Sequence, residues 1–72
     1  MSTNGTIPIV LNGETHTAPV GLSITGLLES LEVDGERVAV ELNRQIVKRA
    51  EWPATVLHSG AKIEIVQFVG GG

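Results

Sequence analysis

Residues Ser23 to Leu31 read SITGLLESL, and this stretch decides the fold because it is the single helix signal in a chain of 72 residues. Ile24, Leu27, Leu28 and Leu31 stand at i, i+3, i+4 and i+7, which puts all four on one helix face. Ser23 suits the N-cap, since its hydroxyl oxygen can accept from a free N–H of the first turn. Gly26 inside the run costs about 1 kcal/mol relative to alanine. A helix this short must therefore be held by packing of its leucine face, and the flanking sequence offers a sheet for it to pack on.

Upstream, Ile7 to Asn12 (IPIVLN) is rich in apolar and β-branched residues, and Asn12-Gly13 follows at once. Asn-Gly signals a hairpin because both central positions of a type I′ turn need φ > 0. Glu14 to Thr17 (ETHT) is the return strand. Pro8 lacks an N–H and belongs at the strand start or on a side without a ladder bond. Pro19 and Gly21 break the pattern before the helix. Downstream, Asp34-Gly35 marks a turn, and Arg37 to Asn43 (RVAVELN) alternates Val38, Val40 and Leu42 inward with Arg37, Ala39 and Glu41 outward. Asn43-Arg44 turns the chain into a short partner strand, QIVKR; Ala50 to Gly60 (AEWPATVLHSG) is irregular. Ala61 to Val69 (AKIEIVQFV) is the last strand, with Ile63 and Ile65 facing inward. The expected architecture is α+β: a mixed sheet of four to five strands packed on one main helix. It forms one domain over residues 1–69, followed by a flexible glycine arm, Gly70 to Gly72.

Composition narrows the function. There is no cysteine, hence no disulfide, no thiolate metal site and no thiol nucleophile. Apolar residues make up 42% and charged residues 18%, a globular balance. A net charge of −3 argues against a nucleic-acid partner, which would need clustered Lys and Arg. The opening MSTNGT has neither a basic segment nor an apolar core, and no apolar run reaches membrane-spanning length. No signal peptide and no membrane are expected, and the cytoplasm is the expected location.

The chain offers no catalytic constellation. His16 and His58 have no second histidine or cysteine at ligand spacing, so no metal site is expected. The serines lie in no nucleophile-elbow context, and Ser59 beside His58 on an extended chain points away from it. The glycines form neither a dinucleotide fingerprint nor a phosphate loop. Glu29, Glu32, Asp34 and Glu36 read as a solvated acidic surface. Arg44, Lys48 and Arg49 read as a solvated edge, or alternatively as a charged rim that steers a protein partner. Trp52 reads as an anchor of the irregular segment to the core, or else as an exposed partner anchor.

The end of the sequence carries the functional signal. In IEIVQFVGGG, inward Ile63 and Ile65 leave Val66 and Phe68 on the face that should be polar. An apolar patch beside a glycine arm suggests docking; the alternative is that Phe68 folds back onto the sheet. Three glycines can thread a channel too narrow for a Cβ and, extended, span about 10 Å. Ordering them costs about 1–2 kcal/mol per residue, which docking of the patch would offset. A carboxylate at the tip is a poor electrophile until activated, and ATP-driven adenylation is the usual route.

Together, the early Asn12-Gly13 hairpin, the VAVELN-x-QIV-x-R segment from Val38 to Arg49, Trp52 and the IEIVQFVGGG end make the chain resemble the ubiquitin-like sulfur carriers, in particular the thiamin-biosynthesis (ThiS) family. The resemblance covers essentially the whole chain. It departs from the family at Ala61, where many members have an acidic residue, and at Lys48, where many have proline. It implies a β-grasp fold and a protein that is a co-substrate rather than an enzyme. An adenylating, E1-like partner using ATP and Mg would activate the Gly72 carboxylate. Sulfur from a cysteine desulfurase relay would make it a thiocarboxylate, and thiazole synthase would receive the sulfur. The chain itself would bind no cofactor. Gly70 and Gly71 would be the threading arm, and Val66, Phe68 and Val69 the partner contacts. A small subunit of molybdopterin synthase, a carrier for another sulfur acceptor, and a β-grasp interaction module whose glycines are a frayed end stay open as alternatives.

Overall fold

A computed structural model describes residues 5–68. Two hairpins and a final strand form a five-stranded sheet ordered β2-β1-β5-β3-β4. Strands β1 (Thr6–Leu11) and β2 (Glu14–Pro19) pair antiparallel with Leu11 opposite Glu14. The turn between them has φ of 49° at Asn12 and 86° at Gly13, as a type I′ turn requires. Strand β3 (Val38–Leu42) pairs in the same way with the short β4 (Gln45–Ile46), through Asn43 (φ 52°) and Arg44 (φ 72°). Strand β5 (Lys62–Gln67) inserts between the hairpins, parallel to β1 and antiparallel to β3. Pro8 pairs with Thr17, and the β1–β5 ladder begins only beyond it, at Val10. Its missing N–H thus falls on a flank where no ladder bond is needed.

Helix α1 (Ile24–Ser30) starts where Ser23 caps it: the hydroxyl accepts from the Gly26 N–H at 3.0 Å. Ile24, Leu27 and Leu28 are buried, but Leu31 is 40% exposed, against the sequence expectation. The helix ends one residue earlier than its apolar period. Leu31 is the C-cap, Glu32 adopts φ 58°, and the chain reverses. The Val33 N–H then donates to Leu28 at 3.0 Å and the Glu32 N–H to Glu29 at 3.1 Å, the paired bonds of a Schellman motif. Val33 packs against the core after this reversal, while Leu31 points outward.

The core is one cluster. It joins Ile9, Leu11 and Ala18 of the first hairpin, the three helix residues, Val38 and Val40 of β3 and Ile63 of β5. Trp52, Leu57 and Ala61 complete it. The segment read as irregular contains a 3₁₀ helix, Arg49–Ala54, that carries Trp52 into the core at 5% exposure. The indole N–H donates to the Val47 carbonyl at 2.8 Å, which satisfies its one polar atom. Gly35 lies against this ring: a Cβ there would stand 3.1 Å from Trp52 Cζ3. The sheet's other face has no helix over it among the described residues.

Candidate functional site

The uncovered sheet face leads toward the C-terminal end of β5. The β3–β5 register sets Val66 opposite Ala39 and Glu64 opposite Glu41. Alternation makes Val66, Glu64, Ala39 and Glu41 outward-facing, together with Phe68. Val66 is 55% exposed and Phe68 58%, so Phe68 does not fold back onto the sheet. Ile46 of β4 pairs with Glu41 and joins this face at 73% exposure. The sequence reading left Ile46 out of the face, although the two-residue turn at Asn43-Arg44 already dictates its register. Gln67 alternates to the inner side and is still within the sheet. It pairs with Val38, and the Phe68 N–H still donates to the Arg37 carbonyl at 2.8 Å.

Two asparagines hold β5 in this position. Asn12 Oδ1 accepts from the Ile65 N–H at 2.8 Å, and its Nδ2 donates to the Ile65 carbonyl at 3.3 Å. On the other flank the Asn43 N–H donates to the Lys62 carbonyl at 2.7 Å, and Asn43 Oδ1 accepts from the Lys62 N–H at 3.0 Å. Each asparagine does two jobs: it adopts the left-handed conformation its hairpin turn needs, and its side chain stands in for a strand peptide beside β5. The last strand is thereby clamped from both hairpins. Val69 and Gly70 to Gly72, expected to contact partners, thread and carry the reactive group, lie outside the described residues.

The remaining candidates are dispersed. Trp52 is buried and is no partner anchor. Arg44, Lys48 and Arg49 are all exposed around the end of β4. His16 is exposed with Nε2 3.7 Å from Glu14, while His58 and Ser59 are exposed in the turn before β5. Among the described residues there is no cluster of His, Cys, Asp or Glu able to hold a metal, and no helix is long and apolar enough to cross a membrane.

A mixed five-stranded sheet wrapped around one main helix, with exposed apolar residues beside its last strand, defines a small β-grasp domain. The sequence matches the model of the ThiS family over residues 9–72, and the chain belongs to that family. It is 30% identical to the sulfur carrier protein ThiS of Escherichia coli over 64 residues, covering 89% of this chain and 97% of that one. The crystal structure of the thiamine biosynthesis protein ThiS from Geobacter metallireducens superposes with a TM-score of 0.81 at 35% identity, covering 92% of this chain and all of that one (100%). A thiazole synthase of Magnetococcus marinus is 47% identical over 64 residues, 89% of this chain. The chain spans only 20% of the length of that protein.

Proposed function

We propose that this chain is a sulfur carrier for thiamin biosynthesis and that its reactive group is the carboxylate of Gly72. In this reading an adenylating partner lets that carboxylate attack the α-phosphorus of ATP, with Mg bound, and releases pyrophosphate. A persulfide supplied through a cysteine desulfurase relay then displaces AMP from the acyl-adenylate to give an acyl disulfide, and a thiol cleaves that disulfide, leaving the thiocarboxylate and a new disulfide between the two donor sulfurs. Thiazole synthase takes the sulfur from it. The chain contributes a docking face (Val66, Phe68 and Val69), a side-chain-free arm (Gly70 and Gly71) and the attacking Gly72 carboxylate, but no catalytic acid or base.

The observation that carries the reading is the exposure of Val66 and Phe68 on the strand that runs directly into the glycines, in a member of the ThiS family. Two features support it further. The Escherichia coli relative is named as a sulfur carrier, and a stretch like this chain occurs within a thiazole synthase, which favours that enzyme as the receiver.

The test is intact-protein mass spectrometry after incubation with ATP, Mg, the adenylating enzyme and a sulfur source. A gain equal to sulfur replacing one oxygen, mapped to Gly72, is expected. Gly71→Val should abolish it, because a β-branched side chain then stands in the arm while the core is untouched. An unchanged mass with an enzyme competent on another carrier, or a normal gain in Gly71→Val, would overturn the carrier or the threading argument respectively.

A further inference from the structure

Strand β5 is paired along its whole length on one flank and only part of its length on the other. Toward β3 the ladder continues to the Phe68 N–H, which donates to Arg37. Toward β1 the strand pairing ends at Ile63, and the Asn12 side chain extends it by one step to Ile65. Peptide groups point alternately to the two flanks of a strand. Since Ile65 bonds toward β1 and Phe68 toward β3, the N–H and C=O of Gln67 face the β1 flank. No described residue meets them, because β1 has already turned away at Asn12-Gly13. The sheet therefore has an open slot one strand wide, bounded by the Asn12 amide at one end and by β5 along its side.

We propose that this slot receives an extended backbone segment of the protein that engages the arm, so that the partner adds a strand beside β5 as well as covering the outer face. The groups left open are one backbone donor and one backbone acceptor at strand spacing, and a peptide segment supplies the complement of both. The slot adjoins Val66 and Phe68, so alternate side chains of the added strand meet apolar surface that is already exposed. Glu41 and Glu64 stand opposite each other on that face and form no ion pair among the described residues. Like charges facing across a strand pair are unfavourable, so a partner that brings a Lys or Arg to this position is selected. A strand fixed here would also set the direction in which the following residues leave the sheet.

The identity of the probe, the adenylating enzyme, rests on the carrier reading. The experiment compares its binding to the parent protein, Gln67→Pro and Gln67→Ala by isothermal titration. Proline removes the N–H that faces the slot and puts a ring there, yet no ladder bond to β3 uses that N–H. Gln67→Pro is expected to bind about tenfold more weakly, the scale of one lost backbone hydrogen bond, with Gln67→Ala close to the parent. Equal binding by Gln67→Pro, or the same loss in Gln67→Ala, would overturn the strand addition while leaving the carrier reading intact. Failure of the parent to bind a competent enzyme would instead overturn the carrier reading, and this proposal with it. Hydrogen exchange on the parent gives a check that does not depend on the variant folding. The Gln67 amide should exchange quickly in the free protein and slowly in the complex, and an amide still fast in the complex refutes the proposal.

Discussion

Substituting Asn12 tests how the last strand is held. The residue accepts from and donates to the Ile65 peptide at 2.8 and 3.3 Å, and it sits at φ 49°. Both bonds are exposed, so each contributes about 0.5–1 kcal/mol net. Asn12→Gly keeps the turn conformation but loses both bonds and adds about 0.5 kcal/mol of chain entropy to the unfolded state. A loss of about 1.5–2.5 kcal/mol is expected, a large part of the stability of so small a domain. Asn12→Ala loses the same bonds and, with no polar side chain to favour the left-handed region, should cost about 1–2 kcal/mol more than Asn12→Gly. Asn12→Asp keeps the acceptor and should fall between the parent and Asn12→Gly. Urea denaturation gives the order, and each kcal/mol lost should lower the melting temperature by about 4–8 °C. Hydrogen exchange of the Ile65 amide, accelerated in both Asn12→Gly and Asn12→Ala, locates the effect. If Asn12→Gly unfolds with the parent and Ile65 exchange is unaltered, the turn alone matters and the clamp contributes nothing.

Two other substitutions follow from backbone geometry. Glu32 (φ 58°) closes the helix and Arg44 (φ 72°) fills the second turn position of the β3–β4 hairpin, and both are conformations that glycine adopts without strain. Glu32→Gly and Arg44→Gly should each stabilise the domain by about 0.5–1 kcal/mol, the left-handed penalty less glycine's entropy. Gly35→Ala should act in the opposite sense: its Cβ would lie 3.1 Å from Trp52 Cζ3, and the buried indole must shift. A loss of about 1 kcal/mol with altered tryptophan fluorescence is expected.

Local signals made much of the fold legible. Asn12-Gly13, the cap at Ser23, and the alternation of Val38, Val40 and Leu42 each encode a conformation within a few residues of chain, and the structure places all three as read. The anchoring of Trp52 followed from the size of its side chain alone. What escaped the sequence has two physical causes. One is a residue accepting an unfavourable conformation because the surrounding structure fixes it. Glu32 does not announce a left-handed turn, so the apolar period runs on to Leu31 with nothing in the sequence to stop it. The other is distance along the chain. The Asn12–Ile65 bonds join residues separated by 53 positions, and no local pattern records them. The open flank at Gln67 comes from the same pairing and was equally invisible. Exposure of Val66 and Phe68 could be read from alternation, whereas Ile46 required carrying the register across a turn.

The central place of β5 governs when the molecule can exist at all. The strand at the middle of the sheet is the last of the five described strands in chain order, and it joins the first hairpin to the second. A growing chain that has emerged only as far as Gly60 has two separate hairpins and a helix with no continuous sheet to rest on, and a single hairpin is marginal in water. Its pairings are long-range, which slows folding. Cooperative structure should therefore appear only after synthesis has passed Gln67. A partner that recognises the assembled face therefore has nothing to bind until β5 has joined the two hairpins.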